Sequence, residues 1–265
     1  MNCEAISNHI SNWLQDYSRS SGTDGFVVGI SGGIDSALTS TLCALTGRKV
    51  LLVEMPIYQA SSQVNRGREH ISWLKNQYPH VSDMEVELTP VFDHFMNSVP
   101  KSSDTQLMNL ALANTRARLR MTTLYYFAGL HRLLVAGTGN KVEDFGVGFY
   151  TKYGDGGVDL SPIADLTKSE VYELSEYLGI TPSILKAAPT DGLWGDDRTD
   201  EQQIGASYPE LEWAMNWVEM GNASNLSGLS ERQQEVLAIY LRMNASNRHK
   251  MVPIPVCLVP PELKK

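Results

Sequence analysis

Only three of the 265 residues are cysteine: Cys3, Cys43 and Cys257. The number is odd and no two stand at CxxC spacing. Neither a disulfide framework nor a CxxC metal or redox centre is expected, and a reducing, cytoplasmic compartment fits the usage. No apolar run approaches the roughly 20 residues that span a bilayer. The opening residues MNCEAISNHI lack a basic start and an apolar block, so no secretory signal is expected. Basic residues are in the minority, 22 against 30 acidic ones, for a formal charge of −8. Such a chain makes a poor non-specific nucleic-acid binder, although local basic clusters can still hold an anionic ligand. Gly (21) and Pro (12) are too few for low-complexity disorder.

What remains is an ordinary globular balance, 42% hydrophobic and 20% charged. There is no internal repeat and no convincing linker, so a single domain over 1–265 is expected. Ile6, Ile10, Trp13, Leu14 and Tyr17 recur at helical spacing before Ser21-Gly22. The run FVVGI at 26–30 reads as a buried strand. A loop at 31–36, a helix near 37–45 and a strand KVLLVE at 49–54 follow. Residues 61–78 read as a helix, 84–88 as a third strand, 104–130 as a long helix and 132–136 as a fourth strand. This alternation predicts an α/β fold, a parallel sheet with helices on both faces, which binds ligands at the carboxyl ends of its strands. The last hundred residues read as a helical C-terminal part. Thr167 and Glu170 form a capping box, a turn-rich stretch occupies 188–200, and two helices cover 207–220 and 229–245.

The strongest chemical signal is Gly29-Ile-Ser-Gly-Gly-Ile-Asp-Ser36, between a strand and a helix. Consecutive glycines let backbone N–H groups approach an anion, and the helix N-terminus adds a favourable dipole. A carboxylate beside phosphates, Asp35, makes sense with a bridging cation, usually Mg²⁺. The bland alternative is a tight turn with Ser as helix cap, which does not require two serines, two glycines and a carboxylate together. No Walker A motif occurs. Gly137-Thr-Gly-Asn-Lys-Val142 starts like a dinucleotide fingerprint but ends in Val. His9, His70, His80, His94 and His131 have no second ligand at metal spacing and read as structural or exposed.

The loop resembles the SGGxDS signature of the N-type ATP pyrophosphatases, whose fold is adenine nucleotide alpha hydrolase-like, that is, Rossmann-like. Asn114-Thr-Arg-Ala-Arg-Leu-Arg120, Gly137-Thr138, Glu143, Thr151-Lys-Tyr-Gly-Asp-Gly-Gly157, Leu166-Thr-Lys168, Pro189-Thr190 and His249-Lys250 follow in order. Together they resemble the ammonia-dependent NAD synthetases, from about residue 25 to 250. The resemblance implies that Gly29, Ile30, Ser31, Gly32, Gly33, Ile34, Asp35 and Ser36 bind ATP phosphates, with Thr138, Lys168 and Thr190 as further ATP contacts. It implies that Asp35 and Glu143 share Mg²⁺, and that Asp35 and Lys168 serve catalysis. Arg118, Lys152, Asp159, His249 and Lys250 would contact deamido-NAD at the interface of a homodimer. Helical spacing places Arg116 with Arg120 and Arg118 elsewhere, without choosing among them; the resemblance chooses Arg118. The segment from Glu143 to Lys152 is one residue longer than the family's pattern, which leaves its local path open.

The implied reaction activates the nicotinate carboxylate of deamido-NAD by adenylylation, and ammonia then displaces AMP. Water must be kept from the adenylate, and closure of 188–200, with Trp194 as an anchor or as a locally packed aromatic, would serve this. Glutamine-dependent relatives carry an added amidase domain with a Cys nucleophile. Strand and helix signals start within the first thirty residues here, so free ammonia is the expected donor. Two alternatives are a pyrophosphatase that adenylates another target, such as tRNA, and a non-catalytic nucleotide-binding module. The first predicts a basic surface and paired cysteines; the second predicts loss of Asp35, Glu143 or a phosphate lysine. Neither pattern is present.

Overall fold

The computed structural model describes residues 1–190 and 199–264. Its sheet has four parallel strands, β1 (Gly25–Gly29), β2 (Lys49–Glu54), β3 (Val81–Glu85) and β4 (Leu133–Val135), in the order β3-β2-β1-β4. Gly25 pairs with Lys49 on one side and with Leu133 on the other, so β1 is central. The chain moves outward from β1 to β2 and β3, then returns to β1's free edge as β4. The order therefore reverses between β1 and β4. In open α/β sheets ligands bind at such a switch point, outside the carboxyl ends of the strands.

Side chains of successive strand residues point to opposite faces. Phe26, Val28, Val50 and Leu52 enter one core with α1 (Cys3–Ser20), α2 (Ile34–Leu45), α3 (Ser61–Gln77), α6 (Lys168–Tyr177) and α7 (Pro182–Leu185). Val27, Leu51, Val53, Leu133 and Val135 enter another with α4 (Thr89–Ser98) and α5 (Thr105–His131). A third core unites a π-helix, Val142–Val147, with α8 (Asp200–Ile204), α9 (Tyr208–Glu219) and α10 (Glu231–Met251). The expected sandwich with a helical C-terminal part is therefore present. No helix among the described residues is long and apolar enough to cross a membrane.

Several elements differ from expectation; the helix expected over 229–245, for one, runs over Glu231–Met251. The third strand occupies Val81–Glu85, not 84–88. It lies at the sheet edge and only Val81 of its residues is buried, so its composition carries no apolar signal. Val86 and Leu88, which suggested the strand, continue the contact by donating to the carbonyls of Glu54 and Pro56, then lead into α4. That ten-residue helix, with Pro90 in its first turn, was not expected, nor were the short α7 and α8. The capping box of Thr167 and Glu170 is present as read. Trp194 and most of the 188–200 stretch fall in 191–198, outside the described residues.

Candidate active site

The two small-residue loops leaving β1 and β4 open into one cleft. It is lined by Gly29, Ile30, Ser31, Gly33, Ile34, Asp35 and Ser36 from the first loop, and by Gly137, Thr138 and Gly139 from the second. Glu143, Lys168 and Thr190 join the lining from the π-helix, α6 and the segment before 191. Ten of the eleven expected ATP-contacting residues thus meet in one cavity, together with Glu143; Gly32 alone of the set is not in the lining. Gly32 adopts φ +79°, and a β-carbon there would lie 2.3 Å from the Gln63 carbonyl oxygen, so α3 and the loop touch backbone to backbone.

The first loop is braced from inside. Ser31 Oγ lies 3.1 Å from Ser36 Oγ and accepts from the Gly33 N–H at 3.2 Å, while Ser36 Oγ donates to the Gly33 carbonyl at 3.0 Å. The helix cap of α2 is Gly33, with no side-chain hydrogen bond. The serines therefore do not cap the helix, and the first N–H groups of α2 face the cleft without a side-chain acceptor. An anion is the natural complement of such an end.

Behind the loop stands a cation between two carboxylates. Lys168 Nζ donates to Asp35 Oδ2 at 2.6 Å and to Glu143 Oε1 at 3.1 Å. Lys168 is the first residue of α6, where the helix dipole disfavours a cation, and its side chain is only 3% exposed. Burial opposes its charge, yet the two carboxylates outweigh burial and raise its pKa. Burial pushes Asp35 up, and the same ammonium pulls it back. Asn140, fully buried, holds both acids: its amide donates to Asp35 Oδ1 at 3.2 Å and its carbonyl accepts from the Glu143 N–H at 3.1 Å. The Tyr208 hydroxyl donates to Glu143 Oε1 and lies 3.3 Å from Asp200 Oδ2. Burial, then Glu143, raises the pKa of Tyr208, so it remains a donor.

Two fixed carboxylates that already accept one cation form a donor set that suits Mg²⁺. Among the described residues no group of three or more His, Cys, Asp or Glu side chains is placed to hold a metal. The remaining ligands would be phosphate oxygens and water, which is the mixture Mg²⁺ prefers. Three further acids, Asp144, Asp155 and Asp200, line the cleft; burial is the first cause that pushes Asp144 up to about 8 and Asp155 up to about 6. Asp155 also accepts from the Thr151 N–H at 2.9 Å, which braces the 151–155 turn.

None of the five residues expected to contact deamido-NAD lines this cleft. Three form a string on the surface: Arg118 Nη2 donates to the Lys152 carbonyl at 3.3 Å, and Lys152 Nζ donates to the His249 carbonyl at 2.6 Å. Lys250 Nζ donates to the carbonyls of Gly148 and Tyr150, and Tyr150 does line the cleft. Asp159 stands apart: it accepts from the Tyr125 hydroxyl at 3.0 Å and from the Val135 N–H at 2.8 Å. It borders a separate groove with Trp13, Tyr17 and Phe145. As helical spacing implies, Arg116 and Arg120 fall on one side of α5, near Tyr58 and Gln59, and Arg118 on another. Arg116 lies over the Phe92 ring, Arg118 faces Lys152, and Arg120 lines the cleft and donates to the Met55 carbonyl at 3.0 Å. Sequence reasoning missed Asn140, Arg120, Asp144, Asp200 and Tyr208. A polar residue directly after Gly137-Thr-Gly139 is the one signal that could have pointed to Asn140.

A doubly wound α/β sheet with an uncapped helix end and paired acids at its switch point defines a class of nucleotide-binding α/β proteins. Within that class, residues 6–253 match the NAD synthase family, and the chain belongs to it. It is 36% identical over 251 residues to the NH3-dependent NAD+ synthetase of Carboxydothermus hydrogenoformans, covering 94% of this chain and 96% of that one. The structure of NMN synthetase from Francisella tularensis is similar with a TM-score of 0.81 at 29% identity, covering 98% and 99% of the two chains. The NH3-dependent NAD synthetase of Campylobacter jejuni gives a TM-score of 0.77 at 26% identity, covering 98% and 100%.

Proposed function

We propose that this chain, working as one catalytic unit in the cytoplasm, converts deamido-NAD to NAD with ATP and free ammonia. The observation that carries the reading is the convergence in one cleft of the uncapped α2 terminus, the Asp35–Lys168–Glu143 constellation and Thr138. ATP enters with its phosphates on residues 29–36. The nicotinate carboxylate attacks the α-phosphorus, the bond to the bridging oxygen breaks, and pyrophosphate leaves. Ammonia then attacks the carboxyl carbon of the adenylate, loses a proton and expels AMP. No enzyme nucleophile is needed. The protein positions two polyanions and offsets their repulsion, with Lys168 at the phosphates and Arg118, Lys152, His249 and Lys250 toward deamido-NAD. Asp35 and Glu143 would hold Mg²⁺, which neutralises charge on the phosphate oxygens when bound.

Relatives named for NH3-dependent synthesis match nearly their whole length to this chain, which supports ammonia as donor. A homodimer fits the exposed apolar side of α5, where Leu107, Tyr126 and Leu130 are each at least 59% exposed. Asp159, with both oxygens engaged inside its own chain, reaches deamido-NAD only through local rearrangement or by acting at that interface.

Mass spectrometry of products tests the reading. Purified protein with ATP, Mg²⁺, ammonium and deamido-NAD is expected to yield NAD, AMP and pyrophosphate; Asp35→Ala is expected to abolish turnover while the fold is retained. Formation of ADP, or turnover with glutamine and none with ammonium, overturns it.

A further inference from the structure

We propose that Tyr208 is a positioning residue for the metal carboxylate Glu143 and for Lys168, tying the helical C-terminal part to the phosphate site. The inference rests on the reading of Asp35 and Glu143 as the pair that holds a divalent cation.

Tyr208 opens α9, and three features fix it there. Ser207 and Glu210 form a capping box around its helix turn, Pro209 follows it, and its N–H donates to Glu201 Oε1 at 2.9 Å. Its side chain is carried inward, 3% exposed, and touches both charged partners of the site. The hydroxyl donates to Glu143 Oε1, and the ring face lies 4.7 Å from Lys168 Nζ. A cation over an aromatic face is attracted by the ring quadrupole, so the ring favours the ammonium where it stands.

The geometry at Glu143 gives the hydroxyl a specific task. Both hydrogen bonds to this carboxylate fall on Oε1, one from Lys168 and one from Tyr208. Oε2 accepts none among the described residues, so the carboxylate is pinned by one oxygen and offers the other. Backbone alone does not set that orientation, because the side chain has three rotatable bonds between the Asn140-anchored N–H and the carboxylate. The hydroxyl also stands between two acids, within hydrogen-bond reach of Glu143 Oε1 and Asp200 Oδ2. A phenyl ring in its place would leave the acids facing an apolar edge, with the Glu143 rotamer held by Lys168 alone.

The test compares nucleotide binding with and without metal, in the absence of deamido-NAD so that no turnover occurs. Titration calorimetry of the full chain gives the affinity for Mg·ATP and for ATP in excess EDTA. Wild-type protein is expected to bind Mg·ATP more tightly. Tyr208→Phe is expected to lose about tenfold of the Mg·ATP affinity, the equivalent of one hydrogen bond to a charged group, and to keep its affinity for metal-free ATP. Tyr208→Leu, which also removes the ring from beneath Lys168, is expected to weaken both. An equal loss for the two forms of ATP in Tyr208→Phe, as a purely structural residue would give, overturns the proposal, as does no loss in either. Glu143→Gln separates the two layers of inference. If it leaves the metal-dependent gain intact, the metal reading itself fails and Tyr208 falls with it; if it removes the gain while Tyr208→Phe does not, Tyr208 alone is refuted.

Discussion

His70 supplies a prediction whose size follows from its surroundings. The imidazole is fully buried between α2 and α3, stacked on Trp73, with Nε2 2.8 Å from Ser40 Oγ and no hydrogen-bond partner for Nδ1 among the described residues. Burial lowers its pKa from 6.5 to about 4. A depressed value for a base means that the unfolded chain takes up the proton first. The stability contributed by neutral His70 is therefore complete above pH 6.5 and is lost as pH falls from there toward 4. At 1.36 kcal/mol per unit, the interval is worth about 3 kcal/mol, most of it gone by pH 4.5. Asp144 and Asp155 act in the opposite sense, because their folded values are raised, so the raw acid profile of the wild type mixes the two signs. A difference between proteins isolates the histidine. His70→Gln keeps a polar partner for Ser40 and cannot titrate. Urea unfolding at pH 7 and pH 4.5 is expected to show a smaller acid-induced change in the variant than in the wild type, by about 2–3 kcal/mol. Equal changes in both proteins would refute the burial argument.

Lys168→Met removes the ammonium between Asp35 and Glu143 and leaves two acids uncompensated, a change of the kind that costs about 3–5 kcal/mol. The unfolding midpoint is expected to fall, Mg²⁺ to restore more of it than it adds to the wild type, and the KM for ATP to rise more than tenfold; identical Mg²⁺ responses would show that the two acids do not hold the cation. Arg118→Ala is expected to raise the KM for deamido-NAD at least fivefold and leave that for ATP unchanged, since this side chain lies outside the cleft. Steady-state kinetics with each substrate varied in turn checks it, and a rise confined to ATP would reassign the arginine.

What the sequence disclosed and what it hid have physical reasons. The strands β1 and β2 are buried on both faces, so they read as apolar runs bounded by Gly or charge. The edge strand β3 exposes Ser82, Asp83, Met84 and Glu85, and nothing in such a run distinguishes it from a loop. Asp35 stood out because it sits in a loop of glycines and serines between a strand and a helix, whereas Glu143 and Lys168 were singled out only by the resemblance to the family. Asn140 and Tyr208 were not, because their meaning lies in partners far along the chain: Asn140 meets Asp35 105 residues away, and Tyr208 meets Glu143 across 65. The inward turn of Tyr208 depends on how α9 packs on the third core, which no local spacing encodes. The distance of Arg118 from the cleft was equally invisible, since one helix face can point to a site or past it.

We propose that the residue expected in excess of the family's pattern between Glu143 and Lys152 is absorbed in a widened helical turn, and this can be tested. Residues Val142–Val147 form a π-helix, whose turn is wider than an α-helical one and could take up one more residue. The widening lies downstream of Glu143's own anchor, the Asn140 carbonyl on its N–H, so the carboxylate keeps its place whatever happens later in the turn. A widened turn offers carbonyls that the regular i→i−4 ladder would have served. Here α10 serves them: Asn244 Nδ2 donates to the Gly146 carbonyl at 2.7 Å, and Asn247 Nδ2 donates to the Val147 carbonyl at 2.9 Å. Phe145, 49% exposed, is the residue whose loss empties no core. Its deletion is expected to return the segment to an ordinary helical turn, with a KM for ATP within about threefold of the wild type. Asn244→Ala is then expected to cost about 1–3 kcal/mol in the full-length turn, where it orphans a carbonyl, and much less in the deletion background. Equal costs in both backgrounds would mean that Asn244 is not there to satisfy the widened turn, and a deletion that abolishes ATP binding would make the insertion part of the site's construction, not an addition it absorbs.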